Sequence, residues 1–184
     1  MRLPDPSPTR SWLLLAAYVA LVYASLPFVR DVVVALRQQQ LLGAVVTGVY
    51  FLAAVALVYH VVFDVRLSDR IAFIALVILA ALAGSLVLGL AIPEERIHFV
   101  QYGLMALLAR GACAWTMKPR GAFIAALALA SAAGYVDELI QGLLPDRVYD
   151  LRDVAINAVA ALLALVVDEV LHHRIGWLPA EETR

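Results

Sequence analysis

Six apolar runs, each about as long as a bilayer is thick, follow one another along the chain with short polar breaks between them. A hydrocarbon core of about 30 Å takes roughly 20 residues of helix to cross. The runs cover 12–29 (closed by Pro27 and Arg30), 41–63, 71–92 (closed by Pro93), 97–117, 121–144 (closed by Pro145) and 151–171. Strands fit poorly, because runs this apolar lack the alternation of a membrane barrel. The pattern predicts an all-α, polytopic transmembrane bundle of about six helices, one integral membrane domain over residues 1–184. Connections are short and leave no room for a second domain.

Composition agrees. Hydrophobic residues make up 64% and charged residues 16%, against roughly half and a quarter in soluble domains. A net charge of −1 gives no reason to expect a nucleic-acid partner. Cys113 is the only cysteine, so no disulfide forms within the chain. The first run, with Arg2 and Arg10 before it, invites a signal-peptide reading. Its eighteen apolar residues exceed the usual core of about 7–15, which favours a retained helix. Small residues four apart, Ala80/Gly84 and Ala130/Gly134, predict places where helices approach closely.

Basic residues set the expected orientation, since short cytoplasmic loops are enriched in Lys and Arg. One side carries Arg2, Arg10, Arg66, Arg70, Arg110, Lys118, Arg120, Arg174 and Arg184; the other carries Arg30, Arg37, Arg96, Arg147 and Arg152. Both termini are therefore expected in the cytoplasm of a cell-membrane protein. The connections at 93–97 and 145–150 then face outward.

The polar residues cluster around those two connections. His98 and Tyr102 lie four apart near the start of the fourth run. Glu138 and Gln141 lie three apart near the end of the fifth, and Asp153 and Asn157 four apart near the start of the sixth. Each pair shares a helix face. Arg147 and Asp150 lie in the loop between the last two runs. Ionisable groups inside membrane helices are costly and usually face the bundle interior or a wet cavity. If the three helices are neighbours, these side chains form one shallow pocket.

Blander roles stay open for most of them. Asp150 is also a good cap for the sixth helix, with Asp153 in its first turn. Tyr102 fits an interfacial aromatic belt, Arg147 can snorkel to headgroups, and Gln141 and Asn157 can join helices. Glu138 is the hardest to explain structurally. Asp137 points about 100° away from it around a helix, so only one of the two is expected at the pocket centre. Asp168, Glu169, His172 and His173 read as boundary residues.

Two blocks resemble the signature of the VanZ-like family, together spanning region 93–172. The first contains Glu94, His98-Phe99 and Tyr102; the second contains Gly134, Glu138, Gln141, Pro145, Arg147, Asp150, Asp153 and Asn157. The chain departs from the pattern where Glu94 and Glu95 stand in place of Asp-Lys, and where alanines follow Asn157. The resemblance implies a membrane location and a link to glycopeptide (teicoplanin-type) antibiotic resistance.

The constellation itself suggests a lipid-linked, phosphate-bearing cell-envelope intermediate as substrate, for instance a polyprenyl-phosphate-linked lipid. His98 would act as acid, base or nucleophile near neutral pH, with Glu138 and Asp153 as the other catalytic groups. Those two carboxylates could instead hold a divalent cation. Arg147 would clamp phosphate oxygens, with Tyr102, Gln141, Asp150 and Asn157 orienting the headgroup. The competing expectation is a non-catalytic accessory subunit of a membrane protein complex, with the polar cluster as a paired packing network. A transporter reading finds no inverted repeat to support it.

Overall fold

The computed structural model describes residues 7–65, 70–90, 92–144 and 149–173. Arg2, Arg66, Arg147, Arg174 and Arg184, used above, lie outside the described residues. Six α-helices make up the chain there: α1 Pro8–Gln38, α2 Leu42–Tyr59, α3 Arg70–Gly89, α4 Pro93–Cys113, α5 Pro119–Leu143 and α6 Leu151–His173. A π-helical segment, His60–Val65, continues α2. Among the described residues there is no strand.

Helix ends follow local chemistry. Ser7 caps α1, its hydroxyl accepting the Arg10 N–H at 3.3 Å, and Pro8 occupies the first turn, where its missing donor costs nothing. Contrary to expectation, α1 does not stop at Pro27 or Arg30 but runs on to Gln38, 31 residues in all. A helix interior proline gives up one backbone bond, yet an apolar setting offers no better backbone partner than the helix. The Ser25 hydroxyl, donating to the Val22 carbonyl at 2.7 Å, adds a bond just before the proline. At about 46 Å, α1 is longer than a hydrocarbon core is thick. It ends in a Schellman turn: Leu41 N–H reaches the Leu36 carbonyl and Gln40 N–H the Arg37 carbonyl. Gln40 takes the left-handed conformation that closes it (φ 57°).

Two further boundaries move. α3 stops at Gly89, and the Arg96 guanidinium donates to the Leu90 carbonyl through Nη2 at 2.8 Å. α4 starts at Pro93 instead of near 97, which places Glu95 and Arg96 inside its first turn.

α4 is the hub, packing against α1, α2, α5 and α6, while α3 lies on α6. The core is built from small residues. On α5, Ala122, Ala126, Ala130 and Gly134 are buried in one stripe at spacing four, and Ala106, Ala109, Ala160 and Ala161 face it with Met105 and Leu165. Such a seam lets backbones approach closely. Gly134 bears out its expected role, whereas Gly84 faces open space. Tyrosines of α1 tie it to the hub: Tyr18 donates to the Gln101 carbonyl at 3.1 Å and Tyr23 to the Ala133 carbonyl at 2.8 Å.

The outer faces are apolar. Phe51, Leu52, Phe73 and Ile74 are all more than half exposed, as side chains facing lipid would be. Five helices, all but α4, are long and apolar enough to cross a membrane. α4, at 21 residues, has the length but carries the polar residues, which its neighbours enclose. The chain is thus an all-α membrane bundle. Trp115 Nε1 donating to Ser11 Oγ (3.0 Å) and Arg110 Nη2 to Glu169 (2.9 Å) gather the start of α1, the α4–α5 connection and the end of α6 at one end.

Candidate functional site

The opposite end of α4, α5 and α6 holds the polar cluster. The three helices pack against one another, as the pocket required. His98 sits about 8 Å into α4, Glu138 about 8 Å from the end of α5, and Asn157 about 9 Å into α6, counting 1.5 Å per residue. All three lie a similar distance from the helix ends at this side of the bundle.

The hydrogen bonds link the helices pairwise. His98 Nδ1 lies 2.7 Å from Asn157 Oδ1, joining α4 to α6. Asn157 Nδ2 reaches the Gly134 carbonyl at 3.5 Å, joining α6 to α5. The Tyr102 hydroxyl donates to Asp137 Oδ2 at 2.6 Å, joining α4 to α5. Gln141 Nε2 donates to Glu138 Oε1 at 3.1 Å, and the Asp150 N–H approaches Glu138 Oε2 at 3.4 Å. Tyr102, Asp137, Glu138 and Asn157 are fully or almost fully buried, and His98 is half-buried. Its ring stacks on Tyr102, centroids 6.0 Å apart. Tyr102, at 0% exposure, is therefore no belt residue.

The Asn157 contacts also fix the imidazole. A backbone carbonyl only accepts, so the Asn157 amide nitrogen must face Gly134 and its oxygen must face His98. His98 Nδ1 then carries a proton, and in the neutral ring the lone pair lies on Nε2.

Asp137 is the residue that the helical-wheel argument missed. It and Glu138 are both buried, at 0% and 1% exposure, because α5 is wedged between two helices and has two interior faces. Asp137 turns to Tyr102 of α4, and Glu138 to Gln141 and the start of α6. The cost of an ionisable group in an apolar helix applies equally to both, and was the signal available. A ring nitrogen of His98 and one carboxylate oxygen each from Asp137 and Glu138 lie within 4.8 Å of one another. Asp153, expected to share a cation with Glu138, is not in this group. It sits half-buried in the first turn of α6.

The rim is charged. Asp150 caps α6, Oδ1 accepting the Arg152 N–H at 2.8 Å, so the capping reading holds for this exposed residue. Arg152, not singled out in the sequence, extends its guanidinium to Glu95 at 3.1 Å. Glu95 is buried and the Arg152 side chain is 54% exposed. Glu95 Oε2 has no hydrogen-bond partner among the described residues. Tyr149 closes over Gly142, where an added Cβ would meet its Cβ at 3.1 Å, and packs edge-on against Tyr135. Arg147 lies outside the described residues.

No protein family matches the chain, nor does any curated protein or solved structure.

Proposed function

We propose that the chain is a cell-membrane protein that binds and processes a phosphate-bearing lipid headgroup at the extracytoplasmic face. A polyprenyl-phosphate-linked envelope intermediate is the ligand class that fits. The observation that carries this reading is the convergence of His98, Asp137, Glu138 and Asn157 about one and a half helical turns from one end of an otherwise apolar bundle. A lipid headgroup sits at that depth, with its tail alongside apolar helix faces. The resemblance to the VanZ-like family supports an envelope role and the link to teicoplanin-type resistance.

In this reading Asn157 holds His98 in the tautomer that turns the Nε2 lone pair towards the headgroup, where it serves an attacking hydroxyl or water either as a base or through an ion it ligates. Arg152, at the exposed rim, supplies the fork of donors that suits phosphate oxygens, and Arg147 in the adjoining connection adds a second. Phosphoryl or glycosyl transfer fits this set.

The test is mass spectrometry of lipids that copurify after gentle extraction, for wild type, Arg152→Ala and Arg147→Ala. Loss of a charge-assisted phosphate contact corresponds to roughly a tenfold or greater drop in retention. Wild type is expected to retain a polyprenyl phosphate that both variants lose. The accessory-subunit reading is favoured by one observation: Tyr102 with Asp137, Gln141 with Glu138, and His98 with Asn157 pair internally. A stoichiometric protein partner with no retained anionic lipid would establish it instead.

A further inference from the structure

We propose that His98, Asp137 and Glu138 bind one divalent cation of the Mn²⁺ or Zn²⁺ type. One nitrogen and two carboxylate oxygens converge within 4.8 Å of one another. Ligand atoms about 2.1 Å from a common ion stand roughly 3–3.5 Å apart, so small side-chain rotations close the set. A mixed nitrogen and oxygen donor set suits these borderline ions better than Ca²⁺ or Mg²⁺, which prefer oxygen alone.

The groups around the ligands point the same way. Ligating histidines almost always donate their second ring N–H to an oxygen, which fixes the tautomer and raises the basicity of the metal-facing nitrogen. His98 does this through Nδ1 to Asn157 Oδ1, and Asn157 is itself oriented by the Gly134 carbonyl. Ligating carboxylates are likewise hydrogen-bonded by groups around them. The Tyr102 hydroxyl holds Asp137 Oδ2 and the Gln141 amide holds Glu138 Oε1. Partners on three helices thus hold the three converging side chains in place.

Three protein ligands leave coordination positions open. A phosphate oxygen or a water fits there, and the ion supplies the positive charge by which an acidic site accepts an anion. The identity of that additional ligand rests on the headgroup reading; the cation site itself does not.

The experiment uses the full chain, purified in detergent, stripped with EDTA, loaded with Mn²⁺ or Zn²⁺, desalted and assayed for metal. Wild type is expected to retain one ion per chain. Asp137→Asn and Glu138→Gln, which nearly keep shape, are expected to bind at least tenfold more weakly. Asp153→Asn is expected to bind like wild type. Because a buried variant can fail to fold, the spin-echo spectrum of Mn²⁺-loaded wild type is the second readout, expected to show coupling to a single imidazole nitrogen. No retained ion in wild type, or a Mn²⁺ spectrum without nitrogen coupling, overturns the proposal. So does binding that moves with Asp153→Asn and not with Asp137→Asn. An ion retained by protein that holds no anionic lipid supports the cation site and removes the headgroup reading. A polyprenyl phosphate still held after EDTA by protein that takes up no ion does the reverse.

Discussion

Replacing Gly134 by alanine is expected to destabilise the bundle by about 1–3 kcal/mol. A Cβ at this position would lie 2.8 Å from Asn157 Cβ, 3.1 Å from Asn157 Nδ2 and 3.2 Å from Tyr102 Cε1. Asn157 Cβ cannot rotate aside, so α5 and α6 must separate. Separation also pulls Asn157 from the Gly134 carbonyl and releases the His98 ring from its single tautomer. Titrated unfolding in mixed micelles measures the loss. Gly84→Ala is the control: nothing lies within 4 Å of that position, and the added methyl favours helix by up to about 1 kcal/mol. Equal stability of Gly134→Ala and wild type would show that the seam is looser than its contacts imply.

The second large effect is expected at the other end of the same three helices. Arg110 on α4 donates to the Pro119 carbonyl at the start of α5, and pairs with Glu169 at 2.9 Å and Asp168 at 3.7 Å on α6. Its guanidinium also lies 6.0 Å from the centre of the Phe123 ring. With the Arg110 side chain 14% exposed, Arg110→Ala is expected to cost about 1–3 kcal/mol, below the full penalty for breaking a buried pair because water still reaches it. Arg110→Lys is expected to recover only part of this, since an ammonium lacks the planar fork that serves several acceptors. A thermal melt in detergent decides the matter. Lysine behaving as well as arginine would reduce the clamp to a point charge.

The helices were legible because bilayer thickness sets a length scale that a run of apolar residues either meets or does not. Their ends were less so. Pro27 looks like a stop in water, where a broken helix can be solvated, but not where the backbone has no other partner. The meeting of α4, α5 and α6 was only a condition in the sequence, because the cost of Glu138 demands enclosure without saying which helices supply it. Asp137 escaped because a helical wheel assumes one interior face, and a helix with neighbours on two sides has two. Arg152 and Glu95 escaped because each looks like an ordinary charge near a helix start. Their pairing depends on which helices adjoin, and that is decided by the alanine seam. Asp168 and Glu169 were rightly left out of the pocket, yet as partners of Arg110 they are more than boundary residues.

The enclosure of α4 has a consequence for how the chain enters the membrane. A helix that leaves the ribosome alone is sorted by its own apolarity, and α4 is the one helix of the six that is too polar to be held in lipid on those terms. Its partners on one side, α5 and α6, are not yet made when it emerges. Secure insertion of α4 is therefore expected to wait for them, with the second half of the chain entering as a three-helix unit. A topology reporter placed after Cys113 is expected to give two orientations, and one placed after Leu171 a single one. A single orientation at both points would mean that α1 and α2 alone can hold α4 in the bilayer.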